Sequence, residues 1–268
     1  MSTPLGEAAV LGAARGITAF FPVSADGHVL LGQLLLGSGA DPALGVFLRV
    51  GTLAATLLVL RRRVWVALEE GVRGLWRPAL LTETPGGRDA TAIALATATT
   101  VLVAGALRWW NEVPTGSLFV VGVCFLASAA VLTAAALAPR GTKSAPGWAG
   151  ALLVGVAQGA AVLPGISSSA MTLTSLLWLG VAAERAFELA FLVSIPSAAL
   201  AIVVDARHAF HGDEGPGALA SGMVISFVFG VAALELTRRI VLSHKLGWFA
   251  FYLVPVAFAT LAWGYARP

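Results

Sequence analysis

Charge is what this chain has least of. Asp, Glu, Lys and Arg together make up 12% of its 268 residues, where a soluble domain carries about a quarter. Cysteine is nearly absent too. A single Cys124 excludes an intrachain disulfide and any cysteine-held metal cluster. Its setting in "SLFVVGVCFLASAAVLTAAAL" reads as a small buried residue. The opening "MSTPLGEAAVLG" has no basic stretch and carries Glu7, so no cleavable signal peptide is expected. A net charge of +3 does not point to nucleic acid. In a membrane chain it bears on orientation instead.

What is abundant is apolar side chain, 58% of the total, in long runs from end to end. One soluble core has no use for that much. The expected fold is an all-α polytopic membrane protein. Six runs are long enough to span a bilayer: roughly 44–60, 91–108, 116–137, 186–204, 218–238 and 246–265. Two other apolar regions, about 5–36 and 148–180, are broken midway by "FFPVSADGH" and "VLPGISSSA". Broken backbone at membrane depth needs protein or a wet cavity around it, so both are read as re-entrant helix hairpins.

The two broken regions resemble each other. Laying "GAARGITAFFPVSADG" (12–27) on "GVAQGAAVLPGISSSA" (155–170) pairs Gly12 with Gly155, Gly16 with Gly159 and Ser24 with Ser167. The single membrane domain, 1–268, therefore divides into repeats 1–140 and 141–268, each one hairpin plus three spans. An odd number of spans inverts the second copy. Inverted repeats with discontinuous helices put a ligand site near the midplane.

Basic residues set the expected orientation. One side of this layout holds twelve Lys or Arg, from Arg61, Arg62 and Arg63 through Arg88, Arg140 and Arg185 to Lys245. The other holds only Arg108, Arg207 and Arg267. The rich side is read as cytoplasmic, so 61–90 faces the cytoplasm, 109–115 the periplasm, and the first hairpin opens outward. Trp76, Trp109, Trp110, Trp148 and Trp248 lie near predicted ends, as an aromatic belt or as core packing.

Arg15 and Arg49 remain inside apolar segments, with Asp26, His28, Glu188 and Glu235 as further charged or titratable candidates. Intramembrane charge marks function by default. Glu235 lies four residues before Arg239, which suggests a local ion pair. Glu188 fits a cap, a pair or a functional role. Arg49 has Asp41 or Glu188 as candidate partners. The breaks suggest the ligand. Helix starts with free N–H groups and hydroxyls at Ser24 and at Ser167, Ser168 and Ser169 suit an anion, although ordinary N-capping by Ser24 and Ser167 explains the serines alone. Phosphate on a lipid tail is the natural anion in so apolar a protein.

At these residues the sequence resembles the undecaprenyl-diphosphate phosphatase family, the bacitracin-resistance type. The family's first motif reads roughly E-G-x-T-E-F-[LF]-P-V-S-S-T-G-H, and here "RGITAFFPVSADGH". Its second reads P-G-x-S-R-S-G, and here "PGISSSA". Its "QLG" appears as "RVG" (49–51), and a later stretch as "ELAFLVSIP" (188–196). The resemblance implies a multi-pass enzyme of the bacterial inner membrane. Such enzymes remove the terminal phosphate of a polyprenyl diphosphate, recycling the lipid carrier of peptidoglycan synthesis with the help of a divalent cation, Mg or Ca. The motif's polar end is kept at Ser24, Gly27 and His28, which implies catalytic roles for Ser24 and His28; the residues themselves add Asp26 as a catalytic candidate and Arg15, Gly27, Arg49, Gly165, Ser167, Ser168 and Ser169 as phosphate-holding candidates. The resemblance leaves room for a homodimer.

The departures fall on the chemistry. Arg15 and Ala19 stand where the motif has glutamates, Ala25 and Asp26 where it has serine and threonine, and Ser168 where it has arginine. Carboxylates suited to a divalent cation are lost, and guanidiniums that can grip phosphate directly are gained. No metal ligand is assigned. Three functions remain open: the family hydrolysis, slowed by these changes; binding or transport of polyprenyl phosphate by an impaired homologue; and a non-catalytic role in envelope synthesis.

Overall fold

The computed structural model describes residues 5–39, 41–110, 117–209 and 215–266. Arg267, the side chain of Trp110 and most of the 109–115 connection lie outside them. Within them the chain is twelve α-helices: α1 (Leu5–Thr18), α2 (Ala25–Leu36), α3 (Pro42–Val59), α4 (Arg61–Gly74), α5 (Leu80–Glu83), α6 (Pro85–Trp110), α7 (Leu118–Ala136), α8 (Gly147–Gly159), α9 (Ser168–Trp178), α10 (Ala183–Ala209), α11 (Pro216–Leu242) and α12 (Trp248–Ala266). Six of these, α3, α6, α7, α10, α11 and α12, are long and apolar enough to cross a membrane, and they coincide with the six runs. The protein is an all-α polytopic membrane protein.

The two broken regions form the helix pairs α1–α2 and α8–α9. Each interruption contains its proline, Pro22 between α1 and α2 and Pro164 between α8 and α9. A proline lacks the N–H that would continue the ladder and forces its predecessor out of helical geometry. The packing is reciprocal: α1 lies on α11 and α8 on α6, while α3 meets α10 and α7 meets α12. Glycine makes these contacts close. A side chain at Gly12 would begin 2.6 Å from the carbonyl of Gly222, and one at Gly16 the same distance from that of Ser226. Small residues let helix backbones approach where lipid offers no hydrophobic drive to association. Gly12→Val is expected to destabilise the fold by about 1–3 kcal/mol, read as a lowered thermal midpoint in detergent. An unchanged midpoint would mean that α1 and α11 are not closely packed.

One element lies outside the six runs and the two broken regions. Residues 61–74 are a helix, α4. Its charges, led by Arg61, Arg62 and Arg63, hide it from a search for apolar runs. Trp65, Leu68, Val72, Leu75 and Trp76 are nevertheless exposed along α4 and just beyond it, the pattern of a helix lying in the membrane interface. Trp109, Trp148 and Trp248 are also exposed at or near helix ends, as an aromatic belt requires and core packing does not.

Ion pairs lock the arginine-rich end. Arg63 donates to Glu188 through Nη2 (2.7 Å) and Nε (2.9 Å). Arg185 pairs with both Glu188 and the buried Asp89, and Arg238 with Glu184 at 2.6 Å. Hydrogen bonding to Glu188 raises the Arg63 guanidinium further above its ordinary value. Glu235 takes the local pair expected of it, with Arg239 at 3.3 Å.

Candidate functional site

A cavity of about 590 Å³ lies where the two helix breaks meet. Hydrogen bonds stitch the breaks together. The Gly165 N–H donates to Ser24 Oγ (3.1 Å), and Ser128 of α7 accepts from the Ser167 N–H while donating to the Gly165 carbonyl, each at 2.9 Å. Ser169 Oγ reaches the Phe21 carbonyl at 3.4 Å. Ser24 is held with φ at 73°, a region that side chains rarely adopt. It therefore does not cap α2 with its hydroxyl, and the hydroxyl serves the other break. Ser167 does cap its helix, accepting from the Ala170 N–H at 3.2 Å. Gly27 is needed for closeness: a side chain there would begin 2.7 Å from the Phe125 ring. Gly165 has φ at 99° and would also collide with Val121. Ser24→Ala strands the buried Gly165 N–H, at an expected cost of about 1–3 kcal/mol. Thermal unfolding in detergent checks this, and a midpoint equal to the unmodified protein's would remove the bridge from the account.

Four charged groups form a chain at this cavity. Arg15, at the end of α1, pairs through Nη1 with Asp26 Oδ1 in the first turn of α2. Arg49 of α3 donates to the same oxygen at 3.3 Å and pairs through Nη1 with Asp205 near the end of α10. Two cations balance two anions, as a low-dielectric site requires. The balance is not saturated. Arg15 Nε is buried without an acceptor among the described residues. Asp26 Oδ2 makes no hydrogen bond among them, and the Asp26 side chain is 50% exposed.

The expected partners of Arg49 require correction. Asp41 caps α3, accepting from the Leu44 N–H, and Glu188 belongs to the arginine-rich end. The seventeen residues from Glu188 to Asp205 span about 25 Å of helix at 1.5 Å each, so one helix serves both ends with different acids. Asp205 lies just past the 186–204 run and was not a candidate from sequence. Its signal was there: an acid one residue beyond an apolar span.

Of the residues singled out from sequence, Arg15, Ser24, Asp26, Arg49, Ser167, Ser168 and Ser169 line the cavity. Gly27, His28 and Gly165 do not. Instead, His28 bridges elements: Nδ1 lies 2.8 Å from the Ser24 carbonyl and Nε2 3.0 Å from the Tyr252 hydroxyl of α12. Its ring stacks on Tyr252 and tilts against Phe125. Gln158 also lines the cavity and was missed, although the repeat alignment sets it opposite Arg15. Its Nε2 donates to Ser197 (2.7 Å), and its Oε1 is buried without a partner among the described residues.

A divalent cation of the Mg or Ca type needs several oxygen ligands, chiefly carboxylate. Here Asp26 and Asp205 are both engaged by guanidinium, and among the described residues no three His, Cys, Asp or Glu come together. Two arginines beside the nearest carboxylate oppose a further positive charge. The residues do not fit such a cation. They fit a phosphate, which accepts the N–H forks that now hold Asp26.

Comparison with known proteins agrees in family. The model of the bacitracin resistance protein BacA family matches residues 8–259. Proteins named undecaprenyl-diphosphatase are similar along nearly their whole length. The one from Treponema denticola is 31% identical over 267 residues, covering 97% of this chain and 98% of its own. That from Methanosphaera stadtmanae is 32% identical, covering 95% and 96%, and that from Rubrobacter xylanophilus 34%, covering 94% and 95%. With the fold, the paired breaks and the motif order all in agreement, the chain belongs to the bacitracin resistance protein BacA family.

Proposed function

We propose that this protein removes the terminal phosphate from a polyprenyl diphosphate, regenerating the monophosphate lipid carrier used in cell-wall synthesis. The observation that carries the reading is the Arg15–Asp26–Arg49 arrangement in the cavity between the breaks. The relatives' undecaprenyl-diphosphatase names point the same way. The diphosphate competes with Asp26 for the two guanidinium forks, and Arg15 Nε supplies one further donor. Freed from that contact, Asp26 is the carboxylate closest to the bound phosphate. A water oxygen bonds to the terminal phosphorus, and the bond from that phosphorus to the bridging oxygen breaks. The bridging oxygen stays on the lipid. Asp26 takes the water's proton as general base and returns it to the departing phosphate. The serines at the start of α9 and the acceptor of Gln158 offer further contacts to phosphate and water. His28 acts at one remove by holding the Ser24 turn against α12.

The helix pairs are proposed as re-entrant hairpins within two inverted repeats, 1–140 and 141–268. Support comes from the reciprocal packing of α1 on α11 and α8 on α6. The site then faces the periplasmic side of the inner membrane and the arginine-rich end the cytoplasm. Cys124 is buried, so single cysteines report cleanly on this. A cysteine at Trp109 should be labelled from outside and one at Glu69 only after permeabilisation. The reverse pattern would invert the orientation.

Purified protein in liposomes containing a polyprenyl diphosphate should release one inorganic phosphate for each monophosphate lipid formed. Absence of both products would remove the hydrolase reading and leave a binding protein.

A further inference from the structure

A second cavity, of about 380 Å³, lies between α6 and α8, at the opposite end of α8 from its break. We infer that it is a headgroup site for an anionic phospholipid, whose phosphate sits between Arg88 and Lys143. The inference is independent of the hydrolase reading, because this cavity shares no lining residue with the one between the breaks.

Charge at this cavity is of one sign. Arg88 and Lys143 line it, and among the described residues no Asp or Glu does. Asp89, Glu184 and Glu188 are committed instead to Arg185, Arg238 and Arg63. The Arg88 side chain makes no hydrogen bond or ion pair among the described residues and is exposed at the mouth. Lys143 Nζ donates one N–H to the Leu179 carbonyl at 2.9 Å, which leaves two of its three. The hydroxyls of Thr82 and Thr91 already donate to backbone carbonyls. What remains for a ligand is two uncompensated cations, and phosphate oxygens are the acceptors that suit them.

The rest of the wall decides which phosphate. Arg88, Thr91, Ala92 and Leu95 all line the cavity, and their spacing puts them on one face of α6. The seven residues from Arg88 to Leu95 cover about 10 Å of helix at 1.5 Å each. Over that distance the face passes from guanidinium to alkyl. On α8 the cavity is lined by Trp148 and, one turn further in, by the buried Ala151. Trp148 is 67% exposed, as an indole at headgroup level would be. A free phosphate would use the two cations and none of the apolar wall. A phospholipid uses both, and basic pockets between membrane helices are places where anionic headgroups bind. On the orientation proposed above, this end lies in the cytoplasmic leaflet.

The test is native mass spectrometry of the purified full chain, with phosphatidylglycerol or phosphatidylcholine added to the detergent. One phosphatidylglycerol should be held more tightly than any phosphatidylcholine. Arg88→Gln should weaken it about fivefold and Arg88→Gln with Lys143→Gln about twenty-fivefold, the worth of one and of two basic residues at an anionic lipid surface. Arg88→Lys keeps the charge and should stay within about twofold of the unmodified protein. Arg61→Gln, on α4 and outside the cavity, should also change little. Equal affinity for the two lipids, or a loss from Arg61→Gln as large as that from Arg88→Gln, would reduce the effect to general surface attraction and overturn the site. Displacement of the lipid by an equal concentration of inorganic phosphate would make it a free-anion site and overturn the lipid assignment. Because the lipid touches both α6 and α8, phosphatidylglycerol should raise the thermal midpoint of the unmodified protein and not that of the double variant. An equal rise in both would also overturn it.

Discussion

Replacing Arg49 with alanine is expected to lower phosphate release from a polyprenyl diphosphate by roughly two to three orders of magnitude, the usual loss when one positioned charge-stabilising group is removed. Arg49 is the hinge of the charge chain, touching Asp26 on one side and Asp205 on the other. Its removal takes away one guanidinium fork and leaves the two acids facing only Arg15. An incoming phosphate then meets net negative charge at the place where it should be bound. Arg49→Lys keeps the charge but not the planar fork, so its activity should fall between the two. Asp205→Asn loosens the hold on Arg49 without removing it, and its loss should be the smallest of the three, about tenfold or less. The ordering is what separates a phosphate clamp from a merely structural ion pair. If the alanine variant folds and retains activity within twofold, Arg49 does not contact substrate.

The second large effect comes from putting acids back. The triple variant Arg15→Glu, Ala19→Glu, Ser168→Arg is expected to show hydrolysis that depends strongly on Mg²⁺ or Ca²⁺, with activity collapsing at least tenfold on chelation. Charge explains the direction. Arg15, Arg49, Asp26 and Asp205 are balanced now. After the change, two introduced carboxylates join Asp26 and Asp205 against Arg49 and one introduced arginine. The cavity then carries two surplus negative charges and the oxygen donors that a hard divalent cation requires. With the cation bound, hydrolysis should exceed that of the unmodified protein. A triple variant that is folded, yet indifferent to the cation, would show that Arg15 and Ala19 do not face a common site.

How far the sequence could have led depends on what kind of signal each feature leaves. The six spans are runs of composition, and composition is local, so α7 and α12 were plain from their residues alone. The breaks were legible for the same reason: Pro22 and Pro164 act on their own backbone. The amphipathic α4 was not. Its arginines and glutamates resemble a loop unless the exposed face of Trp65, Leu68 and Val72 is known to meet a membrane. Arg15, Asp26 and Arg49 could be named as misplaced charges, but their pairing was not readable. Asp26 and Asp205 lie 23 and 156 positions from Arg49, and nothing local links them. His28 illustrates the same limit. Its neighbours Asp26 and Gly27 suggested chemistry, while its partner Tyr252 is 224 residues away. The hydroxyl of Ser24 turned away from its own helix because of a backbone conformation that no residue-type pattern announces.

The central claim is that guanidinium, and not a bound cation, meets the charge of the diphosphate. The most direct measurement is phosphate release from a polyprenyl diphosphate by purified, chelator-washed protein in excess EDTA, compared with the same protein in excess Mg²⁺. Release is expected in both, at rates within about twofold of each other. Release only when Mg²⁺ is present, and its abolition by EDTA, would contradict it.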